Sequence, residues 1–306
     1  MSVPAVSLPR RLIACLRALR AFSLPLSVLP VVAATALAIP PQQWDVPVLL
    51  AGLFAAAMLH LTGNLLNDYF DFCSGADSRV DDDARRPGRL LVRGELPPRA
   101  VLVEAIVCGV LAAPPTVWIV IRGGLPMLAL AAVAVVGLYA YTGPPLKLKY
   151  RAMGEVVVFL LFGPLLMAAA ALSQTGRVAP AVLFVSVPVG LGTAAVLAGN
   201  NVRDRQEDAA GRVRTLAGVL GESGGKWLYV ALVVASAVGP AALAAAGLAP
   251  RLLLVSPALL LLLAETFKRI GRERIPNIDV RTANYQTALL VLTIAAAVYA
   301  QATGPG

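Results

Sequence analysis

Asn64-Leu65-Leu66-Asn67-Asp68-Tyr69-Phe70-Asp71 closes an apolar run that begins near residue 46, and Gly75 and Asp77 follow it. A second apolar run ends in the same way, in Asn200-Asn201-Val202-Arg203-Asp204, with Glu207 and Asp208 just beyond. At helical periodicity Asn64, Asp68 and Asp71 share one face, and so do Asn200, Asp204 and Asp208. Carboxylates at the end of an apolar helix are costly unless they are paired, hydrated or holding a cation. Two such ends with Arg and Lys nearby point to a Mg²⁺-bound diphosphate at a membrane surface.

Composition agrees with apolar helices as the building unit. Of 306 residues, 58% are hydrophobic and 14% charged, and the mean hydropathy is +0.77. These values exclude a soluble globular domain and point to a polytopic helical membrane protein. The runs are long and unbroken rather than alternating, which argues against a β-barrel. Nine spans are expected, at 22–40, 46–70, 98–121, 124–142, 153–174, 179–201, 226–247, 249–266 and 284–302. Each is near the ~20 residues that cross a bilayer, and together they form one domain over 1–306.

Net charge is +9, and its distribution speaks for membrane topology rather than nucleic acid. Lys and Arg crowd the N-terminal segment and the connections after the second, fourth, sixth and eighth spans. Only Arg122, Arg177 and Arg251 fall on the other side. The positive-inside rule then sets the N-terminus in the cytoplasm and the C-terminus outside, in a multi-pass protein of the cytoplasmic membrane. Both acidic clusters face inward, where the longer connections also lie. Arg10 to Arg20 precede an apolar run without a convincing cleavage site, so no signal peptide is expected. Cys15, Cys73 and Cys108 fit neither a disulfide framework nor a zinc site.

An allylic diphosphate reacts as an electrophile by losing diphosphate, so negative charge on the leaving group must be neutralised. Carboxylate-bound Mg²⁺ does this. We assign Asp68, Asp71 and Asp77 to one ion and Asp204 and Asp208 to another. Asn64, Asn67, Asn200 and Asn201 add neutral oxygens or hold the carboxylates in place. Lys147 and Lys149, in the run Thr142 to Tyr150, offer compact charges to phosphate oxygens; Arg203 and Arg212 stand by the second cluster. Both lysines also suit a plain role as positive-inside anchors, and Arg85, Arg86 and Arg89 follow Asp81, Asp82 and Asp83 as in a solvated loop.

Taken together these motifs resemble the UbiA superfamily of intramembrane prenyltransferases. The likeness rests on both Asn/Asp motifs, Arg20-Ala21-Phe22-Ser23-Leu24-Pro25, the segment Tyr141 to Glu155, and Thr215-Leu216-Ala217. The doubled asparagine before Arg203-Asp204 and the Gly75-x-Asp77 ending are most similar to the 1,4-dihydroxy-2-naphthoate polyprenyltransferase branch of menaquinone biosynthesis. The resemblance implies helices around a central cavity open to the cytoplasm, and a polyprenyl diphosphate bound with Mg²⁺ there, its tail running into lipid. It implies an allylic cation that alkylates an aromatic acceptor, with loss of CO₂ in the naphthoate branch.

Tyr139 or Tyr141 would stabilise the cation. Glu155 and His60 would line the acceptor pocket, where His60 would orient or deprotonate a phenol; each is equally at home as a buried structural residue. Two departures bear on the acceptor. Asp208-Ala209-Ala210-Gly211-Arg212-Val213-Arg214-Thr215 lacks the family's lysine, and His60 stands where glutamine is common. Other acceptors in view are 4-hydroxybenzoate, homogentisate or a porphyrin. From other classes, a cation transporter would need polar steps through the outer half, where Asp45 is the lone acid. A CDP-alcohol phosphotransferase would need a single longer run combining Asp-Gly and Ala-Arg elements, which the chain lacks.

Overall fold

The computed structural model describes residues 8–76, 90–211, 213–271 and 274–303, with side chains from Ile13 onward. Asp77 and Arg212 of the expected site, with Arg85, Arg86 and Arg89, lie outside the described residues. The described chain is all-helical apart from connections and one isolated bridge between Arg151 and Arg214.

Ten α-helices follow in order: α1 (Leu8–Ala18), α2 (Pro25–Ala38), α3 (Val46–Ser74), α4 (Pro98–Thr142), α5 (Gly154–Leu160), α6 (Leu166–Thr175), α7 (Pro180–Ala210), α8 (Leu216–Ala245), α9 (Ala264–Arg269) and α10 (Ile278–Thr303). A π-turn over Leu161–Leu165, carrying Pro164, joins α5 to α6 as one span. A 3₁₀ segment over Arg251–Leu263 leads into α9. Among the described residues, six helical stretches are long and apolar enough to cross a membrane. A seventh forms if 13–23 and α2, bent by 41°, count as one. The protein is thus a multi-pass membrane protein.

Local chemistry sets the ends of α3. The Asp45 carboxylate accepts from the Val48 N–H at 3.1 Å, which satisfies an otherwise orphaned first-turn donor. At the other end Gly75 adopts φ 74°, and the Ala76 N–H returns to the Asp71 carbonyl at 3.0 Å. A left-handed residue past the last turn is the usual glycine stop, and it leaves Asp68 and Asp71 in the final two turns.

Helix α4 carries 45 residues, a length of about 67 Å at 1.5 Å per residue. A straight rod of that length would be more than twice the hydrocarbon thickness. Gly124 breaks it with φ 64°, ψ −155°, a conformation close to glycine's alone. Contacts show that the chain doubles back there. Before the break, Ala105 meets Thr62 and Arg122 meets Asp45; after it, Leu138 reaches Gly63 and Tyr139 packs edge-on against Phe70. The two halves therefore run along α3 in opposite senses.

The core packs many small residues in close contact beside large ones such as Tyr229, Tyr285 and Met167. Ala33, Ala34, Val182, Val185 and Ala296 are fully buried, and α7 is the most buried span. At the crossing of the π-turn with α7, a Cβ on Gly163 would fall 2.6 Å from Gly190 Cα. Small residues at such crossings let membrane helices approach closely when no hydrophobic effect drives them together. Many large apolar side chains also point outward: Ile121 is 75% exposed and Leu125 77%, which suits a lipid-facing surface. Asp45, Arg122 and Gln174 gather at one end of the bundle, and the acidic clusters sit at the other.

Candidate active site

The end of α3 carries the first cluster. Asp68 and Asp71 are both buried. Arg20, in the link between α1 and α2 and itself left-handed at φ 52°, forms an ion pair with Asp68. Lys149 donates to Asp71 Oδ2 at 2.6 Å and to Asn67 Oδ1 at 2.9 Å. Asn67 in turn donates to Asp71 at 3.0 Å, and the Tyr150 hydroxyl donates to Asp71 Oδ1.

Lys149 and Tyr150 belong to the short turn after α4. Burial alone would lower the Lys149 ammonium, but Asp71 and the neighbouring tyrosines raise it well above the ordinary lysine range. Burial and then Asp71 push the Tyr150 phenol up. The pair is therefore a fixed cation and a fixed neutral donor. Lys147, two residues earlier and at φ 47°, pairs with none of the described residues.

The second cluster sits at the end of α7. Arg203 grips Asp204 with two parallel bonds, Nε to Oδ1 and Nη2 to Oδ2, both 2.8 Å. Its Nη2 also donates to Asn200, and its Nη1 to the Pro276 carbonyl at 3.2 Å. Asn201 turns away from this group and donates to Glu155 Oε1 at 2.9 Å, in a buried contact between α7 and α5. Asp208 Oδ2 is buried and has no hydrogen-bond partner among the described residues. Its electrostatic neighbours are Lys149, Asp204, Asp71 and Glu207, so the two clusters converge around Lys149.

A cavity of about 330 Å³ opens onto this convergence. Arg20, Asn64, Asn67, Lys149, Asn200 and Asp279 form its polar mouth, and Leu59, Leu138, Leu161, Phe162 and Leu165 form its apolar wall. Tyr141 lines it as well. Tyr139 does not: it is 45% exposed and stacks on Phe70 outside. Glu155 also lies behind the wall rather than in it.

His60 belongs to the lining, with its ring edge-on to Phe162. Ser23 Oγ gives its single proton to the Arg20 carbonyl at 2.8 Å. It also lies 2.8 Å from His60 Nε2, and His60 Nδ1 is buried without a hydrogen-bond partner among the described residues. Ser23 accepts from Asn64 at 3.3 Å, so residues 20–23 strap over the His60, Asn64 and Asp68 face of α3.

The donor set at the mouth is carboxylate and amide oxygen, the hard ligands that Mg²⁺ prefers. Among the described residues no three His, Cys, Asp or Glu stand together as a ready-made metal cage. Mg²⁺ does not require one, because it is held by one or two carboxylates together with phosphate oxygens. The orphaned Asp208 oxygen is an unspent ligand of the right kind. These residues fit Mg²⁺ with a diphosphate.

Arg20, Tyr150 and Asp279 were missed as site residues from sequence. Arg20 and Tyr150 sit inside segments that carry the family likeness, and that was their signal. Asp279 has none.

Fold and site define a helical membrane protein that presents fixed charges at the mouth of an apolar cavity. Residues 27–285 match the UbiA prenyltransferase family, and the chain belongs to it. UbiA prenyltransferase domain-containing protein 1 homolog of Drosophila melanogaster is 33% identical over 227 residues, covering 72% of this chain. UbiA prenyltransferase domain-containing protein 1 of Gallus gallus is 33% identical over 234 residues, covering 75%. The chain spans 61% and 68% of those two proteins' own lengths. A UbiA homolog from Archaeoglobus fulgidus, bound to GPP and Mg²⁺, shares the fold with a TM-score of 0.68 at 19% identity, over 94% of this chain and 99% of that one. The apo UbiA homolog from Aeropyrum pernix K1 gives 0.67 at 17% identity, over 91% and 96%.

Proposed function

We propose that the protein transfers a polyprenyl group from a polyprenyl diphosphate to an aromatic acceptor in a Mg²⁺-dependent reaction, with 1,4-dihydroxy-2-naphthoate as the acceptor in menaquinone biosynthesis. The observation that carries this reading is the cavity: an apolar wall for a hydrocarbon tail ending where Lys149, Arg20 and two carboxylate helices meet. The binding of GPP and Mg²⁺ by the Archaeoglobus relative supports it.

In this mechanism Lys149 and Arg20 meet the diphosphate oxygens, and Asn67 and Asn200 orient their neighbours. Preorganised charges act most strongly where charge develops in the transition state. Asp68, Asp71, Asp204 and Asp208, with Asp77 and Asn64, are the residues that would hold Mg²⁺, which when bound neutralises the departing diphosphate. Tyr141 faces the allylic carbon with its ring, and the apolar wall excludes water from the cation. His60 Nδ1 accepts the acceptor's hydroxyl proton in a hydrogen bond. Ring attack at the carbon bearing the carboxyl group forms the new C–C bond and releases CO₂ and diphosphate.

The nine-span arrangement, with N-terminus in and C-terminus out, is part of this proposal. Support comes from the reversal at Gly124, which makes two spans of α4, and from the separation of Asp45 and Arg122 from the acidic end. The test is an assay in membranes with labelled polyprenyl diphosphate and Mg²⁺, offering 1,4-dihydroxy-2-naphthoate and 4-hydroxybenzoate separately. Prenylated naphthoquinol with CO₂ release is the expected product. Prenylation of 4-hydroxybenzoate alone would overturn the acceptor. Failure to consume diphosphate with any acceptor would overturn the transferase reading in favour of ion transport.

A further inference from the structure

Arg203 spends every arm of its guanidinium on the protein. Two N–H groups hold Asp204, one holds Asn200 and one holds the Pro276 carbonyl. Nη1 also stands 2.6 Å from Asp279 Oδ1. That oxygen is buried, and at this distance Asp279 is an ion-pair partner of Arg203. The Arg203 side chain is 8% exposed. A buried guanidinium needs counter-charge, and here two carboxylates from different helices, α7 and α10, share it.

We infer that Asp279 is a positioning residue that keeps Asp204 available to a bound cation by carrying part of the Arg203 charge. This inference rests on the diphosphate reading of the site. Asp204 has both oxygens against Arg203, and Arg274 also stands 3.5 Å from Oδ1. A cation drawing Asp204 away from Arg203 would strand the guanidinium if Asp204 were its sole counter-ion. With Asp279 and the Pro276 carbonyl on Nη1, Arg203 stays seated on the first turn of α10 while Asp204 turns to its ligand. Without Asp279, Asp204 becomes the one carboxylate on Arg203 among the described residues, and the cation must compete with a more tightly held bidentate pair.

Asp279 also lies in the first turn of α10, where any acid favours the helix dipole. The test separates the two roles. Purified full-length chain is titrated with Mn²⁺ in the presence of an unreactive prenyl thiolodiphosphate, and bound Mn²⁺ is read by electron paramagnetic resonance, with no turnover involved. Asp279→Asn, which keeps the helix-start chemistry but not the charge, is expected to raise the Mn²⁺ dissociation constant at least tenfold. Asp279→Glu should restore it. On an Arg203→Gln background, where there is no charge to share, Asp279→Asn should change nothing. In steady-state assays the Mg²⁺ needed for half-maximal rate should rise while kcat at saturating Mg²⁺ holds.

Wild-type Mn²⁺ binding in Asp279→Asn, or an equal loss in both backgrounds, would overturn the inference alone. No Mn²⁺ binding by the wild-type chain would overturn the diphosphate reading and this inference with it.

Discussion

Asp208→Asn should make the protein more stable and nearly inactive at once. Asp208 Oδ2 is buried without a hydrogen-bond partner among the described residues, and Asp204, Asp71 and Glu207 set like charge around it while Lys149 opposes them. A buried polar group left unsatisfied costs about 1–3 kcal/mol, more when charged, and asparagine at the same volume removes the charge. At about 2 °C per kcal/mol for a chain of this size, the midpoint should rise by roughly 2–6 °C. Differential scanning fluorimetry in detergent, with EDTA present, reads this directly. The same titration with Mg²⁺ and a prenyl thiolodiphosphate should raise the wild-type midpoint but leave that of the variant almost unmoved, because the oxygen that welcomes a cation is gone. Turnover should fall by about 10² or more, as when one transition-state contact is lost. A variant that is less stable than wild type in EDTA, or that keeps wild-type turnover, would refute the idea that this carboxylate is held uncompensated for a ligand.

Other substitutions probe different parts of the molecule. Asp68→Ala and Asp204→Ala should each abolish turnover while the protein stays folded in membranes, judged by size-exclusion profile; near wild-type rates in either would remove that residue from the site. Gly163→Ala should lower the melting midpoint, since overpacking a close-fitted contact costs about 1–3 kcal/mol; an unchanged midpoint would mean that the α7 crossing has slack. His60→Leu should raise KM for the aromatic acceptor at least tenfold and leave KM for the prenyl diphosphate alone. Equal rises in both would place His60 in the scaffold instead.

The two acidic helix ends were legible because their signal is local: the four-residue spacing of Asn64 and Asp68, and of Asn200 and Asp204, survives in any fold that makes those stretches helical. Lys149 was legible for the same reason, being close in sequence to a span end. Its partner Lys147 looked identical on paper. Only the left-handed turn at Lys147 sends one ammonium into the cluster and leaves the other out of it. Arg20 and Asp279 act across distances that no spacing encodes, since Asp68 and Arg203 lie far from them along the chain. Tyr139 and Tyr141 show the limit of reading a helix end without its neighbours: two residues apart, they face different surroundings, and only Tyr141 meets the cavity. The break in α4 was read correctly as a boundary between apolar runs. Its sharpness was not, because Arg122-Gly123-Gly124 suggests a short loop where the structure needs one non-helical residue.

That single-residue reversal at Gly124 leaves the hairpin without a handle. Two apolar helical halves meet with no slack chain between them, so a protease has no extended strand to engage at this corner. An epitope tag inserted there would first have to create the loop that it was meant to report. Topology mapping by cleavage or tagging will therefore read this end of the molecule as silent, and the silence will come from backbone geometry rather than from burial in the bilayer.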